Sequence, residues 1–302
     1  MAKILVTGGA GFIGSHVTDK LVELGHEVIV LDNISTGKRE NVNARARLVE
    51  KDIRDNLEEL FAREKFDYVY HFAAQINVRK ALADPQYDAG INIMGGLNII
   101  DLAAKHQVKK FIFASTGGAL YAPNEPLPWT EETFREPQSP YGLAKLTIEN
   151  YLRIYRSIFG LSFVALRFSN VYGPRQNPKG EAGVIAIFSQ KALAGESLPV
   201  FGDGTQTRDY IYVKDIVDAA IRAMHLDGSY NVSTQVETSV NELISFMKPF
   251  VPPMSMHHPG AIAGEVPRCV LSSDKLKKEG WFAHYSIGKG IRETVEWFAK
   301  NS

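Results

Sequence analysis

The sequence predicts an α/β protein whose larger part is a doubly wound parallel sheet, followed by a smaller C-terminal α/β region. Three observations predict this. Short apolar runs of the strand kind alternate with longer helical patterns through residues 1–169, as βαβ units around a buried parallel sheet require. At the start, the run Lys3-Ile4-Leu5-Val6 leads through glycines at 8, 11 and 14 straight into a helical pattern carried by Val17, Leu21, Val22 and Leu24. From Asn170 onward the alternation gives way to Pro- and Gly-marked loops with short strands and helices. The chain therefore divides into residues 1–169 and 170–302, with some C-terminal segments expected to return to the first part. A chain of 302 residues with 45% hydrophobic content can bury both cores without staples.

The elements follow in order. Glu27 to Leu31 is a second strand, ending at Asp32, and Arg47 to Glu50 a third, ending near Asp52. Tyr68 to Ala74 reads as a fourth strand that closes on small residues, Ala73 and Ala74. A long helix is predicted from about Pro85 to His106, after which Lys110 to Ala114 delivers Ser115 and Thr116 to the carboxyl edge of the sheet, where open parallel sheets bind ligands. A loop rich in proline and acid runs from Ala122 to Gln138. Ser139 is then a fitting N-cap and Pro140 a fitting first helical residue, so Tyr141 and Lys145 share one face of a helix start. Leu161 to Phe168 is a further strand, and Gly288 to Lys300 a final packing helix; there is no repeat or low-complexity segment.

Charge excludes several partners. Lys and Arg total 34, as do Asp and Glu, and the two signs are mixed, so no basic stripe faces nucleic acid and no surface suits an anionic membrane. A small molecule is the expected partner. The single cysteine, Cys269, forms no internal disulfide, no apolar signal region follows Met1-Ala2-Lys3, and no run is long enough to span a bilayer, so a cytoplasmic protein is expected, with no metal site.

Gly8, Gly11 and Gly14, at every third position between a strand and a helix, give a tight turn, a close backbone approach to phosphate and close helix packing. The amides at the helix start would receive a pyrophosphate. Asp32, at the end of the second strand, would accept both hydroxyls of an adenosine ribose and repel a 2′-phosphate, which favours NAD over NADP. Lys38 and Arg39, which would serve a 2′-phosphate, read instead as solvated. This is a Rossmann-type dinucleotide site.

A tyrosine is a poor base at neutral pH; lowering its pKa from about 10 to about 7 requires roughly 4 kcal/mol of stabilisation for the phenolate. Lys145, one turn from Tyr141, is expected to supply part of that, and an oxidised nicotinamide a second positive charge. Tyr141 then becomes a base for alcohol oxidation.

Together, Thr7-Gly8-Gly9-Ala10-Gly11-Phe12-Ile13-Gly14, Asp32-Asn33, Ser115-Thr116 and Tyr141-Gly142-Leu143-Ala144-Lys145 resemble the extended short-chain dehydrogenase/reductase family over essentially the whole chain. Leu166 to Arg175, Arg208 to Asp215 and Lys278-Glu279-Gly280-Trp281 are similar to those of its UDP-glucose (UDP-galactose) 4-epimerases. The resemblance implies NAD as cofactor, a UDP-sugar as substrate and inversion at the sugar's C4 through a 4-keto intermediate. It implies that Tyr141 takes the proton of the 4-hydroxyl, that Thr116 relays it, and that Lys145 holds the nicotinamide ribose. Cofactor positions carried over are Gly8, Gly11, Phe12, Ile13, Gly14, Asp32, Asn33, Ser35, Thr36 and Gly37 around the first turn. Beyond it come Asp52 and Ile53 at the adenine, Phe72, Ala73 and Ala74 along the pyrophosphate, then Asn92, Ser115, Tyr141, Lys145 and Phe168. Asn92 reads equally as a helix-packing amide.

For the nucleotide sugar the resemblance implies Asn170 and Arg208 at the diphosphate, Phe201 at the uracil, Gly183 and Val184 beside them, and Thr116 at the sugar. Arg208 suits phosphate through its planar fork, and reads alternatively as a surface partner of Asp209. The family's second arginine falls on Ile262; His257 or His258 would have to replace it. Cys269 reads equally as a small buried apolar residue; by the resemblance it falls where these enzymes carry a gate beside the sugar's 2-position, a tyrosine in those confined to simple hexoses and a small residue in those that also take N-acetyl sugars. Where related dehydratases and decarboxylases carry acidic residues beside the threonine, this chain has Gly117-Gly118, which cannot shuttle protons. An NAD-linked reductase or an epimerase of UDP-glucuronate stays open as an alternative, as does a non-catalytic NAD-binding regulator. A homodimer is implied, packed through the helices near 85–106 and 140–159.

Overall fold

The computed structural model describes residues 1–179, 183–260 and 266–301. In chain order its elements are β1 (Lys3–Thr7), α1 (Phe12–Glu23), β2 (Glu27–Asp32), β3 (Arg47–Glu50), α2 (Glu58–Glu64), β4 (Tyr68–His71), α3 (Val78–Ala83), α4 (Pro85–Ala89), a π-helical segment (Gly90–Gly95), α5 (Gly96–Lys105), β5 (Lys110–Thr116) and α6 (Pro140–Phe159). After these come β6 (Phe163–Phe168), β7 (Asn170–Tyr172), α7 (Val184–Leu193), β8 (Leu198–Pro199), β9 (Thr207–Tyr212), α8 (Val213–Arg222) and β10 (Gly228–Val232). The chain ends with β11 (Glu237–Ser239), α9 (Val240–Met247), β12 (Met256–His257), β13 (Arg268–Cys269), α10 (Asp274–Lys278) and α11 (Ile287–Asn301).

Seven strands make one parallel sheet in the order β10-β6-β5-β4-β1-β2-β3. The order reverses between β1 and β4, and a doubly wound sheet opens its ligand crevice at that switch point. Successive residues of β1 explain the two layers of helix. Ile4 and Val6 join a core with Val17 and Leu21 of α1 and Ile216 of α8, whereas Leu5 joins one with Phe61 of α2, Ile99 of α5 and Ile148 of α6.

A smaller core with Phe188, Leu198, Tyr210, Leu243 and Val295 organises the C-terminal elements. There β9 pairs with β7 and β13 in parallel and with β11 antiparallel, and β8 pairs with β12. The chain crosses between the two parts more than once: β10 extends the large sheet beside β6, and Trp281 lies in the same core as α1.

Two predicted elements differ in form. The fourth strand stops at His71, and Phe72, Ala73 and Ala74 continue as coil, with the Ala73 amide donating to the Thr7 hydroxyl at 3.2 Å instead of to a strand neighbour. The helix predicted over 85–106 is not continuous α-helix, because its middle, Gly90–Gly95, takes π geometry. Asn92 sits in that segment and uses its side chain to bind the Gln75 backbone in both directions, which ties the widened turn to the coil after β4. Among the described residues no helix is long and apolar enough to cross a membrane.

Candidate active site

The glycine turn is drawn against the start of the coil after β4. Gly8 has φ +70, and a Cβ there would sit 2.6 Å from the Ala73 nitrogen; a Cβ on Gly14 would sit 2.2 Å from the Gly8 carbonyl oxygen. Gly11 caps α1 without a side-chain acceptor, so nothing from the cap covers the first-turn amides of Phe12, Ile13 and Gly14. Asp32 ends β2 beside this turn and accepts from the amides of Ala10 at 3.0 Å and Ile34 at 2.9 Å. It therefore shapes the loop that follows the glycine turn. Asn33 donates to Asp52 at 2.7 Å and orients Ser35, whose amide and hydroxyl both donate to Asn33 Oδ1. The Arg54 guanidinium, together with the Asn33 amide, holds the Asp52 carboxyl down at about 2. Gly37 lies against Ala10, and Ile53 packs on Gly95. Lys38 pairs with Glu40 and Arg39 with Glu50 on the surface.

An uncapped helix start after a glycine turn, with an acidic residue at the next strand end, is a donor and acceptor set that fits a dinucleotide.

At the neighbouring strand end, Ser139 caps α6 by accepting from the Gly142 amide at 3.1 Å, with Pro140 in the first turn. That start places Tyr141 beside Thr116, whose hydroxyl favours the ionised phenol. Lys145 Nζ donates to the Ala114 carbonyl at 2.9 Å and lies 5.8 Å from the Tyr141 ring centre. Burial pushes the Tyr141 phenol up to about 12, with Asp88 adding to the rise, and pushes the Lys145 ammonium down to about 8. Whatever Lys145 contributes toward lowering the tyrosine is smaller here than the cost of burial. Its ammonium is turned to a carbonyl, and desolvation of the phenolate outweighs it. Activation of Tyr141 needs further positive charge.

Thr116 and Ser115 point to opposite faces of β5. The Ser115 hydroxyl donates to Glu149 at 2.7 Å, inside a fully buried pair in which Arg167 donates to Glu149 at 3.0 and 2.6 Å. The Ser115 side chain is therefore committed to the interior, and only its backbone stays at the strand edge. Phe168 ends β6 in register with Thr116 and is buried.

Tyr141, Asn170, Gly183, Val184, Phe201 and Arg208 line one cavity of about 550 Å³. Arg208 donates to the Thr207 carbonyl at 2.8 Å. It is not a surface partner of Asp209, which is fully buried and accepts from Thr234 and Gln235. Cys269 is in register with Arg208, and its sulfur would be 3.5 Å from a Cβ on Gly118. His257 is bonded to Ser197 and His258 to the Gly202 carbonyl. Ile262 lies outside the described residues. Arg79 also lines the cavity, a cation that motif reading did not single out.

Motif reading also passed over Gln75 and Asp88, whose Oδ1 accepts from Gln75 Nε2 at 2.8 Å and from Asn92 Nδ2 at 2.9 Å. Asp88 is four residues before Asn92, and a carboxylate at that spacing in a buried helical run was the available signal.

A switch-point crevice with a glycine turn, and a tyrosine and lysine on one helix at its rim, define the class of short-chain dehydrogenases and reductases. The profile of the NAD dependent epimerase/dehydratase family matches residues 4–233. The chain belongs to that family, and it is an NAD-dependent isomerase of the 4-epimerase type. It is 44% identical to UDP-glucose 4-epimerase from Thermotoga maritima, solved with UDP-glucose, with a TM-score of 0.95 and 99% of each chain covered. It is 40% identical to UDP-glucose 4-epimerase from Thermus thermophilus, solved with NAD, with a TM-score of 0.92 and 98% of each chain covered. UDP-N-acetylglucosamine 4-epimerase from Methanobrevibacter ruminantium is 32% identical, with a TM-score of 0.95 and coverage of 100% of this chain and 99% of that one.

Proposed function

We propose that the protein interconverts UDP-glucose and UDP-galactose by inverting the hydroxyl at C4. One observation carries this reading: Tyr141, at the start of α6, opens into the same cavity as Asn170, Phe201 and Arg208. A base for a sugar hydroxyl and a guanidinium for a diphosphate thus share one space. Tyr141 takes the 4-hydroxyl proton and returns it, Thr116 orients that hydroxyl, and Lys145 binds the cofactor ribose and adds positive charge. Asn170 and Arg208 hold the diphosphate, Phe201 packs on the uracil, and Gly183 and Val184 close the wall. Around the cofactor, Gly8, Gly11, Phe12, Ile13 and Gly14 receive the pyrophosphate and Asp32 the ribose hydroxyls. Asn33, Ser35, Thr36 and Gly37 form the adjoining loop. Asp52 and Ile53 flank the adenine, while Phe72, Ala73, Ala74, Asn92, Phe168 and the Ser115 backbone line the crevice. Bound NAD supplies the reversible oxidation of the sugar carbon and is regenerated each cycle. Gly117 and Gly118 offer no acid or base, which favours epimerisation over elimination or decarboxylation.

The test is to give the purified protein UDP-glucose and UDP-galactose separately, without added NAD. Interconversion in both directions is expected. Tyr141→Phe should lower it by orders of magnitude, while denaturation of the variant still releases NAD. Failure of the wild type to interconvert the pair would overturn the reading.

Acceptance of UDP-N-acetylglucosamine is a second reading, favoured by the small Cys269 side chain against Gly118. The same proposal includes a homodimer through α5 and α6 and a cytoplasmic setting, which the lone, buried cysteine suits.

A further inference from the structure

A second cavity, of about 380 Å³, lies on the α6 side of the large sheet near its β10 edge, and among the described residues its lining shares nothing with the cavity that Tyr141 enters. More than three turns of α6 separate its Arg153 from Tyr141, about 18 Å along the helix. Five cations and two carboxylates line it. Part of this charge is already met. The buried Arg167 guanidinium is committed to Glu149, the Tyr121 hydroxyl and the Glu131 carbonyl, and the Glu131 carboxylate turns to the Asn231 amide at 2.8 Å. Arg156 is paired with Asp227 at 2.5 Å. The other three cations have no full partner. Arg135 makes no side-chain hydrogen bond or ion pair among the described residues. Arg153 donates to the neutral Asn150 side chain at 3.0 Å and stands 3.8 Å from Glu149, whose charge Arg167 already meets. Lys275 donates to the Ser229 carbonyl at 2.8 Å and lies 4.4 Å from the Tyr230 ring centre. Against these three stands one carboxylate, the exposed Glu132. Like charges gathered around one hollow repel one another, and an anion with several acceptor oxygens relieves that repulsion.

We propose that this cavity is a second binding site, for a phosphate dianion carried on a small phosphomonoester, with Arg135, Arg153 and Lys275 as its donors. Arginine forks from two segments, the loop before α6 and α6 itself, each give paired bonds to phosphate oxygens, and the Lys275 ammonium adds a point charge from α10. A bare phosphate fills only part of 380 Å³, a volume in the lower range of small-molecule sites, so room is left for the body of an ester. Glu132 repels a second phosphate and offers an acceptor to a hydroxyl of that body. Bound there, the dianion clamps the loop before α6 to both α6 and α10. The site touches none of the residues assigned to the cofactor or the nucleotide sugar, so it stands apart from the proposed epimerase reaction.

The test is a titration of the full chain with sodium phosphate and, separately, with glycerol 3-phosphate, read from the ¹⁵Nε signals of its arginines, with sodium chloride at matched ionic strength as the control. Arg135→Gln and Arg153→Gln identify their own signals. Both signals should shift and saturate with either phosphate and stay in place with chloride, and glycerol 3-phosphate should saturate them at the lower concentration. Arg135→Gln and Lys275→Gln, each followed at Arg153, should weaken binding by about tenfold, as for losing one charged hydrogen-bond donor. Arg153→Gln, followed at Arg135, takes the place of Arg135→Gln should the latter not fold. Arg208→Gln, which alters only the other cavity, should leave the Arg135 and Arg153 shifts as they are. Shifts that chloride reproduces, that never saturate, that survive the loss of Arg135 and Lys275 or that vanish with Arg208→Gln overturn the proposal. Equal affinity for the two probes overturns the ester and leaves the free ion as the ligand. No arm of the test reads turnover, so a failure of the epimerase assignment leaves its outcome intact.

Discussion

The gate proposed at Cys269 would act by size rather than by chemistry. Burial pushes its thiol up to about 11, so it is protonated and inert as a nucleophile at neutral pH. Cys269 is in register with Arg208, near Gly118, and buried with Leu120, Tyr121, Trp129 and Leu271 behind the residues that line the cavity. A phenol ring there would take the space that an acetamido group needs, and overpacking costs about 1–3 kcal/mol, or roughly ten- to hundredfold in rate. The wild type should therefore accept UDP-N-acetylglucosamine as well as UDP-glucose. Cys269→Tyr should lose the first and largely keep the second. Measuring kcat/KM for both sugars in both proteins decides the matter: a wild type inert toward the N-acetyl sugar, or a tyrosine variant equally active on both, removes the gate from this position.

At the level of elements, α6 is held to the sheet by more than apolar packing. Glu149, one turn beyond Lys145, receives two bonds from Arg167 of β6 and one from Ser115 of β5. Burial pushes the Glu149 carboxyl up and the Arg167 guanidinium more than offsets that, leaving it below its ordinary range. A carboxyl lowered in the folded state stabilises the fold above its unfolded pKa, and that contribution is lost as pH falls through the lowered value. Arg167→Met, which strands the buried glutamate, should destabilise by about 3–5 kcal/mol, whereas Arg167→Met with Glu149→Leu should cost much less. Urea unfolding of the two variants tests this; equal losses would mean that the pair acts only through packing. The glycine turn, the strand edges and the capped start of α6 were legible in the sequence because each depends on local chemistry: glycine spacing, apolar runs, a Ser-Pro cap. The Glu149–Arg167 pair and the Gln75–Asp88–Asn92 network were not, because their partners meet only when distant segments pack. The π-helical turn was hidden for the same reason. It is tied down by a side chain bonding a backbone 17 residues away, which helical periodicity does not encode.

On the scale of the whole molecule, one outer face remains more apolar than an exposed surface needs to be. Along α6, Leu143, Ile154 and Ile158 are exposed at 55%, 48% and 67%, at spacings that repeat one helical stripe, and Phe159 follows at 60%. The π-helical segment leading into α5 adds Met94 at 63%. The two helices lie side by side, joined by the bond from Tyr155 of α6 to Asp101 of α5, so these side chains belong to one surface. Scattered apolar residues on a surface are ordinary, but a stripe on two adjacent, parallel helices offers a self-complementary face of the kind that two-fold dimers use. Pairing two such faces would form a four-helix interface and support α6, the helix that carries Tyr141 and Lys145. The protein should therefore sediment as a dimer at micromolar concentration. Ile158→Glu, at the stripe's most exposed position and more than three turns from Lys145, places a charge in each half of the interface and should give monomers with an intact fold. Sedimentation velocity on both proteins, with circular dichroism to confirm folding, checks this; a wild type that is monomeric throughout, or a variant that still dimerises, would place the contact elsewhere.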